Sequence, residues 1–135
     1  MFARLMSPKR LNNLTIVVVE DDHDTRRYLT LFLNSSGANV VPAGNAWDAL
    51  EAIKTYQPDI VVSDIMMPGR DGFALLRDIR DLGPGAGGDI PVIAMSAILT
   101  RADRARILSA GFQECLPKPF GPDRLLRVIL SILGE

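Results

Sequence analysis

The sequence predicts an α/β domain: a parallel sheet with helices on both faces. Three observations carry this reading. Short apolar runs, several of them rich in β-branched residues, lack the polar alternation of a half-exposed strand, so they suit strands covered on both sides. These runs alternate five times with segments whose apolar residues recur at helical spacing. Glycines and a proline fall where helices should stop.

The first strand is "TIVVV", 15–19, and it runs straight into "EDDHD", where Glu20, Asp21, Asp22 and Asp24 crowd together. Tyr28, Leu29, Phe32 and Leu33 then line one face of a first helix that Gly37 can end. A second strand, "NVVPA" (39–43), precedes a helix marked by Ala46, Ala49, Leu50 and Ile53 and stopped before Pro58. The third strand, "DIVVS" (59–63), delivers Asp64, and Phe73, Leu76, Ile79 and Leu82 mark the third helix. "GPGAGGD" (83–89) is a loop by composition; it follows a helix and lacks the lysine and hydroxyl of a phosphate-binding glycine loop. "IPVIAMS" (90–96) is the fourth strand, and a weaker helical segment near 102–110 closes at Gly111. "FQECL" (112–116) is the fifth strand, and Leu125, Leu126, Ile129, Ile132 and Leu133 form the last helical face.

A length of 135 residues fits one domain, taken as 14–134, behind an N-terminal leader or linker of 1–13. With 15 Lys and Arg against 16 Asp and Glu, the net charge of −1 offers no electrostatic basis for nucleic-acid or membrane binding. Arg4, Lys9 and Arg10 are too few and scattered to form a nucleic-acid arm. Cys115 is the only cysteine, which excludes an internal disulfide and fits a reducing cytoplasm. No signal-peptide core or apolar span of about 20 residues is present, although origin from a longer membrane-tethered chain stays open.

Ligands of an open parallel sheet bind at the carboxyl ends of its strands. There the first strand brings Glu20, Asp21 and Asp22, the third Asp64, the fourth Ser96, and the segment after the fifth Lys118. Clustered carboxylates repel one another unless a cation sits among them, and an all-oxygen set favours a hard ion such as Mg²⁺. The metal and the ammonium would neutralise phosphoryl oxygens while Ser96 donates a hydrogen bond. With no separate general base in the set, a carboxylate is itself the expected nucleophile.

The pieces "VVVEDDHDTR", "DIVVSDIMMPGRDG", "IPVIAMSA" and "CLPKPF" stand in the order and spacing of a known family: the chain resembles the receiver domains of two-component response regulators from about Leu14 to Leu133. The resemblance implies a flavodoxin-like fold with five strands in order 2-1-3-4-5 and five helices. It implies that Asp64 is a phosphoacceptor supplied by a histidine kinase or histidine phosphotransfer protein. Asp21, Asp64 and the backbone carbonyl of Met66 would ligate Mg²⁺, with Glu20 acting through a water. Ser96 would be the switch hydroxyl, Lys118 the phosphoryl's ion-pair partner, and the Lys118–Pro119 bond cis.

A downstream protein would read the fourth helix, fifth strand and fifth helix; a homodimer stays open. Exposed residues of the first helix, among them Thr25, Arg26 and Tyr28, would select the kinase. Met66 and Ile98 occupy positions that tune hydrolysis in the family, and their apolar side chains imply a slow loss of phosphate. Cys115 departs from the pattern, standing where the family commonly has Tyr or Phe, and is expected to be a half-buried small residue.

Taken singly, each residue has a plainer reading. Glu20 and Asp21 would be loop acids, Asp22 or Asp24 a helix cap, Ser96 a cap of the fourth helix, and His23 a solvated loop residue. Met66, Met67 and Met95 would be packing residues and Asp71 a turn before the third helix. Two further functions stay in play: a phosphohydrolase with an aspartyl nucleophile, and a receiver-like module that only binds. A true phosphohydrolase commonly carries a second Asp where this chain has Met66.

Overall fold

The computed structural model describes residues 10–97 and 100–134. The expectation attached to Ile98, and most of the proposed leader, lie outside the described residues. Five strands, β1 (Thr15–Val19), β2 (Asn39–Ala43), β3 (Ile60–Asp64), β4 (Val92–Ser96) and β5 (Glu114–Pro117), alternate with five helices. These are α1 (His23–Ser35), α2 (Ala46–Tyr56), α3 (Gly72–Arg80), α4 (Arg101–Ala110) and α5 (Pro122–Ile132). All strand pairings are parallel, in the order β2-β1-β3-β4-β5. This is the flavodoxin-like arrangement, and β1 and β3 lie side by side where the strand order reverses.

Why the strands read as unbroken apolar runs is visible in the packing. Val17 and Val19 of β1 point towards α2, α3 and α4, with Val61, Val92, Ala94 and Cys115 from the other strands. Ile16 and Val18 point the opposite way, joining Ile60, Val62, Ile93, Met95 and Leu116 against α1 and α5. Both faces of the central strands β1, β3 and β4 are therefore covered and carry no polar alternation, whereas β2 at the sheet edge stays exposed at Asn39 and Pro42.

The helices begin and end for local reasons. Asp22, Asn45, Asp71 and Thr100 accept a hydrogen bond from the backbone N–H three residues on, capping α1, α2, α3 and α4; Thr100 and Asp103 form a reciprocal capping box. Gly111 closes α4 at φ 115°, as expected. The α4 cap is thus Thr100, and Ser96 is instead the last residue of β4.

Several further expectations shift. The fifth strand starts two residues later than "FQECL", because Phe112 packs edge-on against Phe73 at a centroid separation of 5.8 Å. Tyr28 is 52% exposed, which removes it from the apolar face of α1 but fits its other reading as an exposed residue of that helix; Met66 is 73% exposed, whereas Met67 and Met95 belong to the core. Leu11 is fully buried, and its N–H bonds the Ser36 carbonyl at 2.9 Å. Packing therefore begins ahead of the Leu14 boundary. Among the described residues, no helix is long and apolar enough to cross a membrane.

The junction from β3 into α3 is the tightest corner near the carboxyl edge. A Cβ on Gly72 would lie 2.6 Å from the Asp64 carbonyl oxygen and 2.9 Å from Ile65 Cα, both backbone atoms that cannot turn aside. Gly72→Ala is expected to cost about 1–3 kcal/mol of stability, read as a lower denaturant midpoint at unchanged slope. An unchanged midpoint would mean that the corner yields freely.

Candidate functional site

Register along the sheet brings the chemistry together. Val19, the last residue of β1, pairs with Ser63, the residue before Asp64; Asp64 pairs with Met95, and Ser96 with Pro117. Glu20, Asp64, Ser96 and Lys118 thus gather at one end of four neighbouring strands. Glu20 is 1% exposed, and Asp64 and Ser96 are buried, while Asp21 is exposed.

Lys118 joins the acids. Its Nζ donates to Glu20 Oε1 at 2.6 Å and to Asp64 Oδ2 at 3.2 Å. The Lys118 backbone N–H donates to the Ser96 carbonyl at 2.7 Å, and the Lys118–Pro119 peptide is cis, as expected. The other oxygens are also engaged: Asp64 Oδ1 accepts from the Met66 N–H and Glu20 Oε2 from the Asp22 N–H, both at 3.2 Å.

Burial pushes the Glu20 carboxyl above its ordinary range, and the nearby Asp64 charge adds to this, although the hydrogen bonds from Lys118 and Asp22 pull the other way. Burial also pulls the Lys118 ammonium down, but its bond to Glu20 and the two carboxylate charges outweigh this and raise it. It remains a cation.

Glu20, Asp21 and Asp64 each place a carboxylate oxygen within 4.8 Å of the others. Three acids face one ammonium, so the set retains an excess of negative charge, and its donors are all oxygen. That chemistry fits a hard divalent ion and offers nothing to a soft one.

The acids nearby divide as the alternatives allowed. Asp22 caps α1 through Thr25, whose hydroxyl bond first and backbone bond second hold its carboxyl below the usual range. Asp24 lies in the first turn of α1. His23 is the first residue of α1 and not a loop residue, but it is exposed as expected, 3.4 Å from Asp24.

Arg26 has a different place from the one expected of a partner-selecting residue. Its Nη1 donates to the backbone carbonyl of Glu20 at 2.7 Å and of Asp21 at 3.4 Å, holding the acid loop from behind. No sequence pattern marks a guanidinium that binds main-chain oxygens. The loop after Asp64 is likewise held by a bidentate pair, Arg70 to Asp78 at 2.7 and 2.8 Å, which the sequence reading did not find. Cys115 is 1% exposed, more deeply buried than expected, and that burial raises its thiol pKa.

Comparison with known proteins agrees with this geometry. A family model described as "Response regulator receiver domain" matches residues 16–130. An uncharacterized 14.6 kDa protein of Leptolyngbya boryana, from the sodA1 3' region, is 40% identical over 119 residues, which cover 88% of this chain and 89% of that protein. Response regulator MprA of Mycobacterium tuberculosis is 35% identical over 121 residues, 90% of this chain but 51% of the regulator. The chain therefore spans about half the length of that relative. Among solved structures, the receiver domain of sensor histidine kinase PA1611 from Pseudomonas aeruginosa, described with a magnesium ion coordinated in its active-site cleft, superposes with a TM-score of 0.80. It is 28% identical, over 90% of this chain and 98% of that one.

The arginine clamp is testable without any ligand. Arg26→Ala strips the donor from the part-buried Glu20 carbonyl and is expected to cost about 1–2 kcal/mol in chemical denaturation. Its exposed neighbour, as Arg27→Ala, should stay within roughly 0.5 kcal/mol. Equal effects would show that Arg26 has no clamping role.

Proposed function

The chain belongs to the receiver domains of two-component response regulators, and from that premise we propose that Asp64 accepts a phosphoryl group from a phosphohistidine of a histidine kinase or phosphotransfer protein. The observation that carries the proposal is the ammonium of Lys118 bridging Glu20 and Asp64, with an Asp21 oxygen within 4.8 Å. An Asp64 carboxylate oxygen attacks phosphorus, the P–N bond to the partner's imidazole breaks, and the freed ring nitrogen takes a proton from solvent. Mg²⁺, when bound, neutralises charge on the transferring oxygens. Asp21, Asp64 and the Met66 carbonyl would hold it, with Glu20 behind them.

This chain's own groups do the rest. Lys118, already bonded to Glu20 and Asp64, neutralises phosphoryl charge, and Ser96 supplies the hydroxyl that approaches the phosphorylated side chain. Phosphorylation then shifts a pre-existing equilibrium in the surface made by α4, β5 and α5, where a downstream protein binds. The donor approaches along α1. A groove of about 380 Å³ between Thr25, Tyr28, Leu29, Ala97, Lys118, Pro119 and Phe120 opens beside the site and supports that route. A cytoplasmic setting and residues 14–134 as the receiver unit, with Leu11 ahead of that boundary packed against it, complete the reading.

Receiver domains are generally phosphoacceptors rather than turnover enzymes, and the test separates the two. Incubation with acetyl phosphate and Mg²⁺ should add one phosphoryl group per chain, seen by intact mass, and Asp64→Asn should add none. Repeated turnover of a small phosphomonoester would instead favour a phosphohydrolase, and no adduct at all a binding-only module.

The acid assignment has its own check. Asp21→Ala should weaken Mg²⁺ binding about tenfold or more by titration calorimetry, roughly 1.4 kcal/mol, while Asp24→Ala leaves it within about twofold. Equal losses would place the metal elsewhere.

A further inference from the structure

Trp47 is the only tryptophan of the chain, and it stands 57% exposed in the first turn of α2, where the capping geometry has no need of an indole. Its ring edge lies against the backbone of Gly69. A Cβ built on Gly69 would sit 2.8 Å from Trp47 Cη2 and 3.2 Å from Cζ3, and Gly69 has a φ of +84°. Only a residue with no side chain can lie under the ring in that conformation.

Gly69 belongs to the loop from Ile65 to Asp71, and the first half of that loop touches Asp64. The Met66 N–H donates to Asp64 Oδ1 at 3.2 Å. Every other part of the loop has its own anchor. Ile65 and Met67 are buried in the core, Arg70 pairs with Asp78, and Asp71 caps α3. The corner at Pro68 and Gly69 is closed on itself, by the Arg70 N–H on the Pro68 carbonyl at 3.0 Å, and it lies against the Trp47 ring. The base of that ring is rigid, since Ala46, Ala49 and Ile53 fix α2 against the sheet and Asn45 caps it.

We propose that Trp47 is a positioning residue for Asp64: its ring holds the β3–α3 loop at Gly69 and so keeps the Met66 N–H on the Asp64 carboxylate. An indole has two side-chain torsions, so it loses little entropy in serving as a strut. Without it, a glycine at positive φ regains its freedom, and the hydrogen bond that orients one oxygen of Asp64 is shared with water. For its metal and phosphoryl consequences the proposal rests on the receiver reading; its mechanical core does not.

The experiment compares Trp47→Ala and Trp47→Phe with the parent. Amide hydrogen exchange in metal-free protein should accelerate at Met66 and Arg70 by at least about fivefold in the alanine variant, while β1 amides keep their rates. Mg²⁺ affinity should fall about threefold or more, short of the roughly 10- to 100-fold typical of groups bonded directly to metal ligands. Phenylalanine should recover most of both. Unchanged loop exchange would overturn the proposal, and so would a uniform acceleration that tracks a lower melting temperature, because that is what mere loss of packing produces. If the parent itself neither binds Mg²⁺ nor accepts phosphate, the receiver reading fails and the exchange comparison still decides the role of Trp47.

Discussion

One ammonium holds this site together. Lys118 reaches two carboxylates from distant parts of the chain, with Glu20 and Asp64 side chains only 1% and 9% exposed. Removing either acid from water costs several kcal/mol unless it is paired, so the pairing is what allows two buried acids to sit beside each other. The pairing is also incomplete. Asp21 adds a third carboxylate within 4.8 Å, and the burial of Glu20 is only partly offset by Lys118. The same arrangement that lets the fold tolerate these acids therefore keeps three carboxylates around one ammonium.

The sheet was legible because its physics is local. A strand covered on both faces is mostly apolar, and "IVVV" and "IVV" meet that demand without help from distant residues, leaving the polar exceptions, Ser63 and Asp64, at the carboxyl end of β3. Convergence of the acids was legible too, because strands in a parallel sheet all present their carboxyl ends at one edge. The failures lie where tertiary contacts override local pattern. Tyr28 fits the helical stripe of α1, yet the groove beside Lys118 leaves it half in water. Phe112 looks like the start of a strand, but Phe73 holds it as part of the turn after α4.

Within the site, the residues whose charge does the chemistry could be found from type and order alone. Those that hold them could not. Arg26 and Met66 act through main-chain atoms, and any residue offers the same carbonyl and N–H, so nothing in the letters marks the contact. Gly69 and Trp47 are 22 positions apart and meet only because α2 and the β3–α3 loop share one side of the sheet. Asp22 was ambiguous in sequence between ligand and cap; two hydrogen bonds from Thr25 settle it as a cap.

The same contrast between apolar and polar fastening bears on how a change at Asp64 would travel. Helix α4 buries a single residue, Ile107, so burial holds it less firmly than α3 or α5. Polar tethers make up the difference. Arg104 donates to the Cys115 carbonyl at 3.1 Å and to the Glu114 carboxylate at 2.6 Å, and Arg106 stacks over the Phe73 ring at 4.4 Å. Contacts of this kind, partly exposed, are worth about 1 kcal/mol each and can be exchanged for water at small cost, unlike a buried leucine. The thiol of Cys115 is buried in the sheet and carries no ring. What ties β5 to α4 in this chain is the guanidinium of Arg104 on the neighbouring carbonyl. A helix fastened by one apolar residue and two arginines can shift without opening the core, and it begins five residues after Ser96.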